Sequence, residues 1–266
     1  MTSRRASLMR CLLAALLCVC VIPHAFATWS IIAIHPRSGT IGVAAASCSG
    51  GVWGIQAVAP GIGAVVVQAE SNNDARREAM KLLRERASLD AILVRISDPA
   101  SGYSPQRQQY ALLASGTDGR PRTYTGAEVP DINGSAGGEH FSVQGNTLAS
   151  DDVIASTAAA LGKADWPDDL GMAQALMRAL AAGAAAGGDR RCGKAASNTA
   201  FISLHRATDR PEAPWVSLSV NDIPAGTASG TAALDVLFAQ WMREGIRRPS
   251  TAIFMIPAAE EATSAP

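Results

Sequence analysis

Two pairs of apolar runs near the start of the chain constrain its fold more than any other feature. Trp29 to Ile34 and Ile41 to Ser47 flank the turn His35-Pro36-Arg37-Ser38-Gly39, and Gly54 to Ala59 and Gly63 to Ala69 flank Pro60-Gly61. Runs of this length, bounded by turn residues, read as the strands of two hairpins. The runs are continuous rather than alternating, so the strands are expected to be buried on both faces. Gly61-Ile62-Gly63 lacks a third glycine and precedes a strand, which leaves a dinucleotide fingerprint poorly supported.

The downstream pattern supplies the covering layers. Asn73-Asp74 caps a helix running to about Arg86, with Ala79, Leu82 and Leu83 on its buried stripe and its arginines on a solvated one. Ser88 with Asp90 starts a second helix, stopped by Asp98-Pro99. Tyr110 to Ser115 and Arg122 to Thr125 flank Thr117-Asp118-Gly119-Arg120, a hairpin signal. Asp151 to Leu161 and Asp169 to Ala182 read as alanine-rich helices, each opened by acids that suit a helix N-terminus. Ala200 to His205 and Trp215 to Val220 are the last strands, and Thr231 to Ile246 a final amphipathic helix. The segregated order predicts an α+β fold, with helices packed on stacked sheets. A single domain is expected over 28–256, followed by a disordered tail at 257–266.

Two glycine-bearing segments read as loops. Gly137-Gly138-Glu139-His140-Phe141-Ser142-Val143-Gln144-Gly145-Asn146 sets polar side chains among residues that permit close backbone approach. Gly187-Gly188-Asp189-Arg190-Arg191 follows a helix, where paired glycines make an ordinary C-cap. Loop punctuation with surface charge accounts for both as well as a site does.

Residues 1–27 have the form of a cleaved signal peptide. Arg4, Arg5 and Arg10 precede an apolar run from Cys11 to Ile22, and Ala25-Phe26-Ala27 is a small-x-small cleavage site. The run is too short to span a bilayer. Ser3-Arg4-Arg5-Ala6-Ser7-Leu8 is similar to a twin-arginine signal, but Ser7 stands where that signal has an aromatic, which leaves the export route open. A retained N-terminal anchor is the alternative. Removing 27 residues from 266 leaves 239, enough for one sizeable core. The three leader arginines leave with it, so 20 basic residues face 23 acidic ones. That balance points to no nucleic-acid or membrane-surface partner. Only Cys48 and Cys192 remain, and two cysteines in an exported, periplasmic or secreted chain most simply form a disulfide; a two-ligand metal site is the weaker alternative.

Cleavage after Ala27 would expose Thr28, whose hydroxyl and free α-amine then share one residue. That pair is the minimal machinery of an N-terminal nucleophile, the amine acting as base. An α-amine titrates near pH 8, so a useful neutral fraction exists at about pH 7. Thr28 following the cut by chance is the plain alternative, and a retained leader would leave it no free amine. Competing chemistries lack their signatures: there is no Gly-x-Ser-x-Gly and no His-Glu-x-x-His, and the mature chain has only His35, His140 and His205.

Five motifs occur in order: Thr-aromatic-Ser-Ile at Thr28, Gly42-Val43-Ala44-Ala45-Ala46-Ser47, Pro60-Gly61-Ile62-Gly63-Ala64-Val65, Phe141-Ser142-Val143-Gln144-Gly145-Asn146, and Gly187-Gly188-Asp189-Arg190-Arg191. Together the stretch from Thr28 to Val220 resembles the family called domain of unknown function 1028, placed in the N-terminal nucleophile (Ntn) hydrolase superfamily. The resemblance implies a four-layer αββα sandwich with Thr28 where that superfamily keeps its nucleophile. Proteasome-type relatives support their threonine with an aspartate and a lysine; here the second strand ends Ser47-Cys48, with neither charge. Cys192 interrupts the family's Asp-Arg-Arg-Gly run, and a Cys48–Cys192 bridge would tie two motif loops together.

These considerations give an expected exported amide hydrolase acting on a small amide or peptide without metal or cofactor. Thr28 is the expected nucleophile, Ser47 would orient its amine, and Asn146 or a loop N–H would hold the oxyanion. Gln144, Asp189, Arg190 and Arg191 are expected to bind substrate, an arginine meeting a substrate carboxylate; an Asp189–arginine structural pair is the equal alternative. After cleavage no stable membrane insertion is expected, and a homo-oligomer is left open. The other class of function is a catalytically idle sandwich serving as a periplasmic binding or assembly module.

Overall fold

The chain is built outward from its first described strand. The computed structural model describes residues 28–116, 119–221, 233–244 and 254–255. In it β1 (Thr28–Ile34) lies between β2 (Ile41–Ser47) and β8 (Phe141–Asn146), with all seven residues buried. Alternate side chains serve two different cores. Trp29, Ile31 and Ala33 pack with α3 (Asp152–Gly162) and α4 (Asp169–Ala185). Ile32 and Ile34 pack with Val58, Val66, Ala111 and Leu113 of a second sheet.

The larger sheet has seven strands in the order β11-β10-β9-β2-β1-β8-β7, adding β7 (Gly134–Gly138), β9 (Thr199–His205), β10 (Val216–Asn221) and β11 (Phe254–Met255). It is antiparallel except where β11 runs parallel to β10. The smaller sheet is antiparallel, in the order β3 (Gln56–Ala59), β4 (Gly63–Ala69), β5 (Gln108–Ala114) and β6 (Arg122–Thr125). Its outer face is covered by α1 (Asn73–Arg84) and α2 (Leu89–Ser97): Ala75, Ala79, Leu83, Ile92 and Ile96 pack on Val65, Val67, Tyr110 and Leu112. α5 (Ala233–Glu244) adds Leu234 and Leu237 to the core beneath α3 and α4. The architecture is mixed α+β, with two sheets face to face and helices.

Several boundaries differ from the sequence expectation for identifiable reasons. The α1 cap is Asn72, not Asn73: its side chain accepts the N–H groups of Asp74 at 2.8 Å and Ala75 at 3.0 Å. The run from Gly54 is not all strand, because Trp53–Ile55 closes a 3₁₀ turn and β3 starts at Gln56. Gly137 to Asn146 is not a loop but a β-hairpin, with Gly138 opposite Phe141 and His140 at φ +69. Its strands escaped notice because β7 is Gly-Ser-Ala-Gly-Gly and because Ser142, Gln144 and Asn146 give β8 a polar inner face.

The leader at 1–27, the tail at 257–266, the Thr117-Asp118 turn and the ends of the last helix at Thr231 and Ile246 lie outside the described residues. Among the described residues no helix is long and apolar enough to cross a membrane.

Candidate active site

Strand register, not sequence proximity, assembles the polar end of the large sheet. Thr28 is the direct partner of Ser47 on one side and of Asn146 on the other, and Ser47 is the partner of Thr199. Directly opposed residues point to the same face. The row Asn146–Thr28–Ser47–Thr199 therefore faces the smaller sheet, opposite Trp29, and all four residues are buried.

A chain of hydroxyls starts at Thr28. Its Oγ1 donates to Ser47 Oγ at 3.3 Å, Ser47 Oγ lies 3.0 Å from Ser49 Oγ, and Ser49 Oγ donates to the Gly51 carbonyl at 3.2 Å. Because the Ser49 proton is committed to Gly51, the chain is polarised from Thr28 outward. It ends on a neutral carbonyl, so none of its members can act as a base near neutral pH. Asn146, on the other flank of Thr28, is fully buried, yet neither its Nδ2 nor its Oδ1 has a hydrogen-bond partner. An unpaired buried amide costs about 1–3 kcal/mol, and such exceptions concentrate at sites awaiting a ligand, water or ion.

Thr28 lies on a cavity of about 230 Å³ lined also by Ser49, Gly51, Val52, Gly54, Ile55, Ala69, Ser71 and Asn73. Val52, Ile55 and Ala69 form buried apolar wall, while Gly51, Gly54, Ser71 and Asn73 are exposed at the mouth. Ala69 adopts φ +64, a left-handed conformation that costs a non-glycine residue about 1–2 kcal/mol. That kink ends β4 beside Thr28 and turns the chain toward the cap of α1.

The Gly187-to-Arg191 loop reaches the same end of the sheet as a clamp. Gly188 sits at φ +55, and a Cβ there would come within 2.7 Å of the Ala196 carbonyl and 2.9 Å of the Trp29 ring. Asp189 is fully buried and accepts the Cys48 N–H at 2.6 Å, the Arg191 N–H at 3.0 Å and the Arg191 guanidinium at 2.8 and 3.1 Å. Cys48 and Cys192 are joined by a disulfide with Cα atoms 5.7 Å apart. The Ser47 carbonyl accepts the Asn198 N–H at 2.9 Å. The segment that follows Ser47 is thus held from several directions.

Of the residues expected to form the site, Thr28, Ser47 and Asn146 come together at paired strand positions, and of the three Thr28 alone lines the cavity. Asp189 lies behind them as a positioning group. Arg191 is held on Asp189 and Arg190 is exposed, and neither lines the Thr28 cavity. Gln144 also stays away from the cavity, in a buried chain between the sheets. Ser142 Oγ donates to Gln144 Oε1 at 2.8 Å, Gln144 Nε2 to Ser30 Oγ at 2.6 Å, and Ser30 Oγ to Gln68 Oε1 at 2.6 Å. Gln68 Nε2 donates to Gln109 Oε1 at 2.7 Å and to the Thr28 carbonyl at 3.4 Å, and Gln109 Nε2 donates to Thr125 Oγ1 at 2.9 Å. Sequence reasoning missed Ser49, Gln68 and Gln109. Glutamines inside otherwise apolar runs, as in Val65-Val66-Val67-Gln68, were the available signal.

The fold and site define a two-sheet α+β protein whose central strand is headed by a threonine set between a serine and an unpaired asparagine. Residues 28–229 match the family of unknown function DUF1028, and the chain belongs to that family. It is similar to the crystal structure of protein SPO2555 from Silicibacter pomeroyi, a protein assigned to the same family. That likeness has 24% identity and a TM-score of 0.64, and it covers 82% of this chain and 85% of the other. At that identity the likeness speaks to the fold alone. No curated protein matches the chain.

Proposed function

We propose that the protein is an exported amide hydrolase of the Ntn type, with a four-layer αββα sandwich and with Thr28 as nucleophile once cleavage after Ala27 frees its amine. The observation that carries this reading is the Thr28–Ser47–Ser49 hydroxyl chain on a cavity whose lining, among the described residues, includes no titratable side chain. Such a site has a nucleophile and no base. An N-terminal Thr28 supplies the missing base from its own α-amine, of which a useful fraction is uncharged near pH ~7.

In the mechanism, the amine takes the Oγ1 proton as Oγ1 attacks the amide carbonyl carbon. The tetrahedral oxyanion collapses, the C–N bond breaks, and the amine passes its proton to the departing nitrogen. The acyl group is left as an ester on Thr28. Water, deprotonated by the same amine, hydrolyses the ester and restores the hydroxyl. Ser47 aligns Oγ1, and Asn146 Nδ2, which has no other acceptor, donates to the oxyanion. Losing one such donor typically costs about 3 kcal/mol of barrier.

The test compares a chain beginning at Thr28 with one carrying a single alanine before it. Only the first should hydrolyse a short amide. Equal rates would remove the α-amine from the mechanism. The second reading, an idle binding or assembly module, draws on one observation: Thr28 is only 2% exposed. It predicts that neither chain turns over.

A further inference from the structure

Beside the mouth of the Thr28 cavity an arginine, itself outside the lining, hydrogen-bonds two residues of the mouth and, among the described residues, has no acidic partner. Arg76, in the first turns of α1, is half-buried. Its Nη1 donates to Ser71 Oγ at 3.1 Å and its Nη2 to Asn73 Oδ1, both neutral acceptors and both residues of the cavity mouth. The nearby acids are engaged elsewhere: Asp74 pairs with Arg77, Glu78 with Arg95 at 3.5 Å, and Glu70 with Arg107 at 3.1 Å. Among the described residues no carboxylate lies within ion-pair distance of Arg76.

A partly desolvated cation normally gains a counter-charge, because burial without one is unfavourable. Burial, and then the neighbouring Arg77, both hold the Arg76 pKa below its ordinary value. A guanidinium has five N–H donors, and two are used here on neutral oxygens, so a carboxylate can still be received. The start of α1 also favours an anion at this place. Behind the mouth, the cavity is short and uncharged: Val52, Ile55 and Ala69 offer apolar wall, and about 230 Å³ lies below the roughly 300–1,000 Å³ of drug-sized sites. A charged acyl group would find no counter-ion among the described lining residues.

We propose that the site takes small N-acyl amino acids or similar amides, the short uncharged acyl group filling the Thr28 cavity and a carboxylate beyond the scissile bond meeting Arg76. This rests on the amide-hydrolase reading above. The amide C–N bond breaks, water supplies OH to the acyl carbon and H to the nitrogen, and the products are a short carboxylic acid and an amino acid. Arg76 is a specificity-determining residue in this scheme, outside the bond-breaking steps.

The experiment uses the chain beginning at Thr28 with N-isobutyrylglycine and N-isobutyrylglycinamide, which differ only in the terminal group, a carboxylate against a neutral carboxamide, and follows release of isobutyrate. The parent should prefer the acid. Arg76→Gln should lower kcat/KM for the acid about 10- to 100-fold while changing the neutral amide less than about twofold, and Arg76→Lys should recover part of the loss. If neither compound is hydrolysed, the hydrolase reading fails. Ligand-observed NMR with the same two compounds then decides the Arg76 assignment alone. Tighter binding of the acid that disappears in Arg76→Gln supports it. No discrimination by the parent, no binding of either compound, or discrimination that survives in Arg76→Gln overturns it.

Discussion

The carboxylate of Asp189 accepts the backbone N–H of Cys48 at 2.6 Å across 141 positions of sequence, one residue beyond the partner of Thr28. Asp189 is fully buried while Arg191, its ionic partner, keeps a side-chain exposure of 29%. Removing the carboxylate strands the Cys48 N–H but lets the guanidinium turn to water, so the loss falls below that of a fully buried pair. Asp189→Ala should lower unfolding free energy by about 2–3 kcal/mol, read from the urea midpoint. The Cys48–Cys192 bond would keep the loops tethered, so the same substitution should cost more in a Cys48→Ala/Cys192→Ala background.

The buried chain through Ser30, Gln68 and Gln109 should behave as a unit. Gln68→Leu leaves the Ser30 hydroxyl proton without its acceptor and the Gln109 side-chain oxygen without its donor, while Gln144 still donates to Ser30, and should cost about 2–3 kcal/mol by chemical denaturation. A cost below about 0.5 kcal/mol would mean that Ser30 and Gln109 find other partners.

Burial on both faces made β1, β2 and β4 legible, because Ile31-Ile32 or Val65-Val66-Val67 admits no solvated side. The inner face of β8 obeys the same geometry with Ser142, Gln144 and Asn146, and no hydropathy pattern separates those from loop residues. The threonine and its serine neighbour were legible because β1 and β2 form one hairpin with a short turn. Asn146 could be named from a motif, but its place beside Thr28 depends on the pairing of β1 with β8, more than a hundred residues away in sequence. Arg76 was hidden for a different reason. Helical periodicity put the α1 arginines on a solvated stripe, and only the cap at Asn72 and the kink at Ala69 bring that one to the cavity mouth.

His205 is 3% exposed, and burial lowers its pKa to about 4, a pull the smaller effect of Asp209 opposes. The unfolded chain protonates near pH 6.5, so between that value and about 4 it binds more protons than the folded one. Stability from the neutral imidazole is complete above about pH 6.5 and falls as pH drops through the window, by about 2–3 kcal/mol at its acid end. Urea midpoints across this range should show a slope that shrinks in His205→Gln. An unchanged slope would assign it to other groups.

Gly54 offers a way to close the cavity without disturbing the fold. An added Cβ there meets nothing within 4 Å, and Gly54 lines the Thr28 cavity. Gly54→Leu should reduce labelling of Thr28 by a small electrophile at least tenfold, by about the margin a crowded pocket imposes. The melting temperature should stay within about 2 °C, since no core contact changes. Full labelling in Gly54→Leu would mean that reagents reach Thr28 by another route.

The proposed mechanism stands on Thr28 being the amino-terminal nucleophile. Intact-mass spectrometry of the protein expressed with residues 1–27 in place, before and after treatment with a threonine-directed electrophile such as a β-lactone, is the direct test. The expected result is a chain that begins at Thr28 and gains one adduct, mapped to Thr28 and absent from Thr28→Ala, with the melting temperature nearly unchanged. A chain with any other first residue, or an adduct that persists in Thr28→Ala, would contradict it.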